Sequence, residues 1–298
     1  MHIVAQVMDR RIVHVETNLG LRPGGVERLG EALLGLGLAE RVGAQVAGRI
    51  RAPAFDEHRD PVLGARNVQA VAALATEQAD RVGEILDHGG FPIVLGGDDS
   101  VLFGNLLALR RRGTAGLMFL DAHTDYWDLP DGTGELSDSD LWIATGHGPD
   151  VIADLEGMRP LVRPEACVVY GHRDREQHLK DGSRDVYTEP MLVRNLGELR
   201  AAGVDAAASH ATAFLAAAGV DSVWLHLDAD CLDDALMPAV DWRVEGGLSV
   251  TEVVSLARPL VQRGLISGMD VTIYNPGLDS ADLAAGRVLL DAVAGILA

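Results

Sequence analysis

Three apolar runs in this chain each end in acidic residues, and this repeated pattern constrains the fold more than any other feature. The runs 91–95, 116–120 and 223–227 lead into Gly96-Gly97-Asp98-Asp99, Asp121-Ala122-His123-Thr124-Asp125 and Asp228-Ala229-Asp230. In an open α/β sheet the carboxyl ends of the strands meet at one edge, where functional sites normally form. Three acidic strand ends at one edge are hard to explain by structure alone.

The residue types at these strand ends favour a metal site. In an extended strand alternate side chains share a face, so Asp121, His123 and Asp125 converge if the strand continues through them. Carboxylates crowded into a partly buried cleft repel one another unless a cation neutralises them or they take up protons. A bound cation is the simpler solution, although the DxHxD pattern alone also suits an ordinary polar strand end. His226, one step deeper in its strand than Asp228, is interpreted as a packed core histidine or a support for a ligand.

Length and composition favour one large α/β domain. The chain has 298 residues, of which 48% are hydrophobic and 23% charged, so it can bury a full core. Predicted strands and helices alternate along the sequence, and we find no internal repeat or linker that divides it. We therefore predict a single α/β domain over residues 1–298.

The charge of the chain limits its partners. A net charge of −19 and a pI near 4.8 argue against nucleic acid or an anionic membrane, since either needs a basic surface. A small-molecule substrate is the expected partner. The N-terminal stretch 1–13 lacks a long apolar core behind a basic start, and the two cysteines, Cys167 and Cys231, do not form a disulfide framework. We expect a cytoplasmic protein.

Five sequence blocks carry a family resemblance. GGDDS at 96–100, DAHTD at 121–125, LHLDADCLDD at 225–234, GGLS at 246–249 and DVTIYNP at 270–276 resemble, in order and spacing, the signature blocks of the arginase, agmatinase and formimidoylglutamase superfamily, the ureohydrolases. The resemblance implies a three-layer α/β/α sandwich with a mainly parallel sheet and a dinuclear manganese site at its carboxyl edge. It also implies hydrolysis of a C–N bond in a guanidino or amidino group, and assembly as trimers or hexamers.

The resemblance also implies the metal ligands. Asp121 and Asp228 are expected to bridge two metal ions, with His123 and Asp230 completing one coordination shell. Asp99 and Asp125 are expected to complete the other, but the family usually has histidine where this chain has Asp99. An oxygen-rich site of this kind suits Mn²⁺ or Mg²⁺ better than Zn²⁺. Two Mn²⁺ ions per chain are the expectation, and one strongly held ion is the alternative.

Two further departures concern the reaction and the substrate. Ser137 stands where arginase-like members place a histidine that moves protons, and His147 replaces it only if the loop folds back. Ile273 stands where arginases carry a glutamate that pairs with the substrate guanidinium. A buried carboxylate is the strongest sign of a guanidinium site. Its absence puts a substrate of the arginine type in doubt.

Loop residues around the predicted site complete the hypothesis. The resemblance implies metal-assisted hydrolysis, in which Asp125 hydrogen bonds to the attacking water and passes its proton to the leaving amine. We predict substrate contacts from five loop residues, Asp138, Asp140, Arg173, Asp174 and Glu245. Two alternatives stay open: a non-catalytic or regulatory homologue, and a hydrolase of an uncommon amide or amidino metabolite.

Overall fold

Alternation of apolar strands and helices produces one sheet of eight parallel strands. The computed structural model describes residues 8–298. The strands are β1 (Arg10–Glu16), β2 (Ala44–Arg51), β3 (Phe91–Leu95), β4 (Ala115–Leu120), β5 (Cys167–Tyr170), β6 (Leu192–Arg194), β7 (Ser222–Asp228) and β8 (Ile266–Thr272). Their order in the sheet is β2-β1-β3-β8-β7-β4-β5-β6. The central strands are apolar on both faces, as expected for a sheet that is covered on both sides.

Helices cover both faces of the sheet. They are α1 (Leu29–Gly35), α2 (Leu38–Val42), α3 (Val68–Asp87), α4 (Val101–Arg110), α5 (Asp140–Ala144), α6 (Asp150–Ala153), α7 (Arg175–Asp181), α8 (Leu196–Ala202), α9 (Val204–Ala217), α10 (Val250–Gln262) and α11 (Ala284–Leu297). Helices α3 to α6 pack on one face, whereas α1, α2 and α8 to α11 pack on the other. Alternate residues of β4 reach opposite layers, with Leu117 and Phe119 on the α3 side and Met118 and Leu120 on the other. The predicted three-layer α/β/α fold is confirmed.

The carboxyl ends of the central strands carry the acidic residues. Strands β3, β8, β7 and β4 are consecutive in the sheet, so the loops that follow them lie side by side. Leu120, the last residue of β4, pairs in register with Leu227 of β7, and Asp228 pairs with Thr272 of β8. The acidic segments that follow β3, β4 and β7 therefore meet above the middle of the sheet.

Strand β4 ends before the acidic segment. It stops at Leu120, and the segment DAHTD continues as turns instead of extended strand. The Asp121 carboxylate accepts a hydrogen bond of 2.6 Å from the backbone N–H of His123. Such a local bond competes with strand geometry. Asp125 has a left-handed backbone with φ of 42°. The condition for convergence along one extended strand is therefore not met, and a turn brings Asp121 and His123 together instead.

A close backbone contact fixes the turn after β3. A Cβ atom on Gly97 would lie 1.7 Å from the carbonyl oxygen of Thr17, so only glycine fits there. The neighbouring Asp98 is fully buried, and its carboxylate accepts hydrogen bonds from the backbone N–H of Ser100 and the hydroxyl of Thr17. These contacts hold Asp98 in the turn and orient the next residue, Asp99, toward the carboxyl edge of the sheet.

Three sequence features concern membrane insertion, disulfide bonds and the N-terminal stretch. In the described part of the chain, no helix is both long and apolar enough to cross a membrane. Cys167 and Cys231 are buried free thiols, in agreement with the prediction of no disulfide framework. The expectation about the N-terminal stretch rests partly on residues 1–7, which lie outside the described residues.

Candidate metal centre

Three side chains from two strand ends form a compact group of donor atoms. His123 Nδ1 lies 2.9 Å from Asp230 Oδ2 and 3.5 Å from Asp121 Oδ1. Among the described residues, these three place one donor atom each within 4.8 Å of one another. Asp230 follows β7 in a short 3₁₀ turn, where its N–H donates to Asp228 Oδ1 at 2.6 Å. The predicted ligands Asp121, His123 and Asp230 are thus brought together.

The second oxygen of Asp121 faces a different neighbourhood. Asp121 Oδ2 lies 3.9 Å from His226 Nε2, and Asp99 Oδ1 lies 3.7 Å from the same nitrogen. All three atoms are buried and have no hydrogen-bond partner. The two oxygens of Asp121 therefore face two adjacent groups of donor atoms, which is the arrangement expected of a bridging carboxylate.

Burial and mutual repulsion shift the ionisation of this cluster. Burial, together with neighbouring carboxylate charge, raises the pKa of Asp99, Asp125 and Asp228 well above the ordinary value for aspartate. Burial raises the pKa of Asp230 as well, but the charge of His123 outweighs it, so the net shift is downward. Burial lowers the pKa of His123, yet the carboxylates of Asp230 and Asp121 outweigh it and raise that pKa well above its ordinary value. Without a cation, the cluster must share protons to remain buried.

The donor set fits hard divalent cations. Carboxylate oxygens dominate the cluster, and Mn²⁺ and Mg²⁺ prefer such ligands. Buried polar atoms normally have hydrogen-bond partners, so unpartnered oxygens on both Asp99 and Asp121 need an explanation. Asp140, at the start of α5, adds two further buried oxygens without partners. A cation that accepts electron pairs from these oxygens would satisfy them.

A cavity of about 260 Å³ opens above the cluster. The residues that line it include five of the six predicted metal ligands: Asp99, His123, Asp125, Asp228 and Asp230. Its other walls come from loops at the carboxyl edge of the sheet and from α7, and they comprise Leu21, Trp127, Thr133, Glu135, Ser137, Asp138, His178, Asp181, Asp241, Trp242 and Ile273. The cavity thus connects the buried carboxylates with the surface.

Of the predicted substrate contacts, Asp138 lies on the cavity wall. Its carboxylate accepts hydrogen bonds from the hydroxyls of Thr133 and Ser139, which fixes its loop. Asp140 is fully buried behind the cavity, and Glu245 is an exposed loop residue. The structure does not place Asp140 or Glu245 on the cavity wall.

Arg173 and Asp174 hold loops in place instead of facing the cavity. The Arg173 guanidinium donates to the backbone carbonyls of Asp230 and Val244, at 2.9 and 3.0 Å. The Asp174 carboxylate accepts from the backbone N–H of Thr124 at 3.0 Å. Arg173 therefore supports the turn that carries Asp230, and Asp174 supports the turn between β4 and Asp125.

His178, which the sequence analysis did not identify, lies on the cavity wall together with His123. His147 stacks on Trp142 with ring centroids 3.7 Å apart, and it does not line the cavity. The loop therefore does not fold back as His147 would require. His178 Nδ1 lies 2.7 Å from Asp174 Oδ2, and its ring is 5.9 Å from that of His123. Asp174 immediately precedes α7 and His178 lies within it. Their four-residue spacing is the sequence feature that could have indicated this pair.

Ser137 and Ile273, two residues that differ from the usual family pattern, both line the cavity. Ser137 Oγ accepts a hydrogen bond of 3.3 Å from the backbone N–H of Asp99. Ile273 follows β8 and presents an apolar side chain to the cavity, with a left-handed backbone of φ 67°. A β-branched residue rarely adopts this conformation. The position therefore stores backbone strain at the cavity wall.

Comparison with known proteins agrees with this geometry. A sequence model described as "Arginase family" matches residues 34–295. The chain belongs to the arginase family. It is 29% identical to an arginase of Staphylococcus aureus (strain COL) over 288 residues, covering 93% of each chain. It is also 29% identical to an arginase of Bacillus subtilis (strain 168), covering 78% of this chain and 77% of the relative. The crystal structure of an arginase from Bacillus cereus superposes with a TM-score of 0.85 at 26% identity, covering 97% of this chain and 98% of the other.

Family membership and the Asp, His, Asp group together decide between the sequence-based alternatives. They confirm the resemblance to the ureohydrolases and the prediction of a metal-dependent hydrolase of that type. A non-catalytic homologue is not favoured. The identity of the metal, the number of ions and the substrate are separate questions, which the geometry of the cavity addresses.

Proposed function

We propose that the protein hydrolyses a C–N bond in a guanidino or amidino group of a cationic small molecule, with two Mn²⁺ ions as cofactor. The observation that carries the proposal is the pair of donor groups on either side of Asp121. One oxygen of this carboxylate lies 3.5 Å from His123 Nδ1, and the other lies 3.9 Å from His226 Nε2, which is itself 3.7 Å from Asp99 Oδ1. Oxygen-rich ligands in this number support manganese.

Six residues are proposed to hold the two ions: Asp99, Asp121, His123, Asp125, Asp228 and Asp230. When bound, such ions supply a coordinated water of lowered pKa and polarise the substrate group that the water attacks. The protein residues fix the geometry. Asp228 is held by the 2.6 Å bond from the Asp230 N–H, and Asp230 Oδ1 accepts from the backbone N–H of Ala122 at 3.1 Å. These bonds orient the carboxylates before any ion binds.

Asp125 is the proposed general base. It lies on the cavity wall and is nearly buried. Its carbonyl oxygen accepts from the backbone N–H of Trp142 at 3.1 Å, which pins the turn that carries its carboxylate. Burial, with the negative charges of Asp121 and Asp140, raises the pKa of Asp125 in the metal-free protein. As general base, its carboxylate would take a proton from the attacking water and return it to the leaving nitrogen.

His178 is proposed to carry protons between the cavity and solvent. It lines the same cavity as Ser137, whose side chain offers only a hydroxyl. Its Nδ1 atom lies 2.7 Å from Asp174 Oδ2, so one side of the ring faces this carboxylate. The other ring nitrogen remains available to a leaving amine. This assignment replaces the sequence-based hypothesis for His147.

The charge of the cavity supports a cationic substrate. Beyond the proposed ligands, the wall carries four acidic residues, Glu135, Asp138, Asp181 and Asp241. Within residues 8–298, no lysine or arginine lines the cavity. A substrate carboxylate would therefore meet negative charge on the wall itself, which would cost binding free energy. The Arg22 guanidinium beside Glu135 and Trp242 is already paired with an acidic wall residue. A guanidino or amidino compound with an amine end fits better than an amino acid.

A substrate screen tests the proposal. The Mn²⁺-loaded protein is incubated with arginine, with its decarboxylated amine, with guanidino acids and with formimino compounds, and release of urea and ammonia is measured. We expect metal-dependent turnover, with the cationic amine hydrolysed faster than its carboxylate-bearing counterpart. The Asp228→Asn variant serves as a control without turnover. Absence of turnover on every compound by a protein that holds two Mn²⁺ ions would overturn the proposal.

A further inference from the structure

His226 has one ring nitrogen aimed into the carboxylate cluster. Its side chain is completely buried on β7, with Nε2 located 3.7 Å from Asp99 Oδ1 and 3.9 Å from Asp121 Oδ2. None of these three atoms has a hydrogen-bond partner. The distances exceed those of N–H···O hydrogen bonds, which are about 2.7–3.2 Å. An ordinary histidine to carboxylate hydrogen bond therefore does not explain this arrangement.

The other ring nitrogen is firmly held. His226 Nδ1 lies 2.7 Å from Asp270 Oδ1. Asp270 Oδ2 accepts from Trp224 Nε1 at 2.6 Å and from Asn105 Nδ2 at 2.8 Å, so both oxygens of this carboxylate are engaged. Phe119 stacks on the imidazole with ring centroids 4.6 Å apart. A carboxylate that accepts from Nδ1–H leaves the lone pair on Nε2, which is the arrangement that supports metal-ligating histidines.

The spacing of His226 Nε2 from each of the two carboxylate oxygens suits a shared cation. Metal to nitrogen or oxygen distances of about 2.0–2.2 Å place neighbouring donor atoms on one ion roughly 3 to 4 Å apart. The separations of 3.7 and 3.9 Å around His226 Nε2 fall in this range. The lone pair of Nε2, Asp99 Oδ1 and Asp121 Oδ2 all lack any other partner. Each of the two carboxylate oxygens therefore lies at a distance from His226 Nε2 at which the two atoms can share one divalent ion.

We propose that His226 is a ligand of the second metal position, where it supplies the imidazole that the turn after β3 lacks because Asp99 stands there. The inference rests on the proposed function, since it assumes the two-ion centre. Compared with the usual family pattern, the histidine stands within β7 instead of after β3. The family's neutral histidine is replaced by the anionic Asp99, and His226 provides one neutral nitrogen donor in its place. Asp270 is the positioning residue that orients it.

Metal counting on matched variants tests this role. His226→Asn keeps a side-chain N–H that can donate to Asp270 but has no atom at the Nε2 position. The control is His14→Asn, because His14 is also a buried strand histidine whose Nε2 lacks a hydrogen-bond partner, and its nearest carboxylate is Glu16 at 4.0 Å. Each purified protein is loaded with Mn²⁺ and dialysed, and its metal content is measured by elemental analysis. We expect two ions in wild type and in His14→Asn, and one in His226→Asn.

Pulsed electron paramagnetic resonance provides a second measurement that does not depend on how His226→Asn folds. Wild-type and His123→Asn proteins are prepared with ¹⁴N- and ¹⁵N-labelled histidine and loaded with Mn²⁺. We expect a histidine nitrogen coupling that persists in His123→Asn, since His226 still ligates. If wild type holds two ions, and the coupling vanishes in His123→Asn while His226→Asn retains both ions, the ligand role of His226 is overturned and the proposed function stands. If wild type binds no metal at all, the proposed function fails as well.

Discussion

Asp99 Oδ1 and His226 Nε2 face each other at 3.7 Å in the centre of the molecule, and neither atom has a hydrogen-bond partner. Asp99 lies in the turn after β3 and His226 lies within β7, and β8 separates these two strands in the sheet. A carboxylate stands on one side and an imidazole on the other, so the pair offers an oxygen and a nitrogen to the same space. This pair of one oxygen and one nitrogen donor should set the metal preference of the site.

The variant Asp99→His should change metal selectivity without loss of the fold. A second imidazole beside His226 makes the site softer, so affinity for Zn²⁺ relative to Mn²⁺ should rise at least about tenfold. Competition binding of the two metals, with circular dichroism to verify the fold, measures the effect. An unchanged metal content and selectivity would mean that Asp99 is not a ligand.

The variant Asp125→Asn should lose turnover by about 10²- to 10⁴-fold, because an amide cannot accept the proton. Asparagine tolerates the left-handed backbone at this position, where φ is 42°. The backbone turn should therefore survive. Steady-state kinetics and metal analysis on the same sample measure the result. The control is Asp128→Asn, whose carboxylate pairs with the exposed Arg184. Full activity of metal-loaded Asp125→Asn would rule out the general base.

Replacement of His178 and His147 should have different consequences. His178→Gln should lower kcat by roughly 10²-fold, with a smaller effect on KM, because the residue is proposed to carry protons on the cavity wall. His147→Gln should leave kcat unchanged, since His147 stacks on Trp142 away from the cavity. The pH profile of kcat for both variants provides the comparison. Equal effects of the two substitutions would contradict the placement of the proton carrier.

Metal-free protein should become less stable as the pH rises above about 4, the ordinary aspartate pKa. The folded-state pKa values of Asp99, Asp125 and Asp228 are raised by burial, so the folded state holds protons that the unfolded chain has already released. Their favourable contribution is complete below the unfolded pKa and is lost as the pH rises through the folded values. Manganese binds the deprotonated ligands, so its stabilising effect should grow with pH.

Thermal melting with Mn²⁺ and with a chelator, at pH 5 and pH 8, measures that effect. The difference in Tm between the two conditions should be larger at pH 8. Each pair of samples shares the same background titration, so the remaining charged groups cancel. An equal difference at both pH values would contradict the account.

Gly97→Ala should destabilise the protein by about 1–3 kcal/mol and weaken metal binding, because the new Cβ overlaps the Thr17 carbonyl and shifts Asp99. Gly35→Ala is the matched control. Gly35 is the last residue of α1, and a Cβ atom added there would enter open space. The control should be as stable as wild type, or up to about 1 kcal/mol more stable. Denaturant unfolding measures both variants.

Local sequence patterns predict the strands at the centre of the fold. Strand β3 matches the predicted range 91–95, because a short apolar run between glycines leaves little choice of structure. The predicted ligands Asp121, His123 and Asp230 meet as expected, since parallel strands end at one edge of the sheet. These features depend on short-range pattern and on a general rule of sheet topology.

Other features of the site depend on long-range packing. Helix α7 has no buried residue, so hydrophobic periodicity does not reveal the helix that carries His178 to the cavity. The environment of His226 is set by Asp99 and Asp270, which are distant in sequence. The turn at Asp121 forms through a hydrogen bond to its own neighbour, which strand alternation does not anticipate. Each of these three features becomes visible only in the three-dimensional structure.

The measurement that tests the metal centre most directly is elemental analysis of wild-type protein produced with manganese in the medium. The carboxylate cluster, the unpartnered oxygens of Asp99 and Asp121, and the ligand role of His226 together predict about two Mn²⁺ ions per chain. Metal near zero after such loading would contradict the account, because the buried carboxylates would then be held by protons alone.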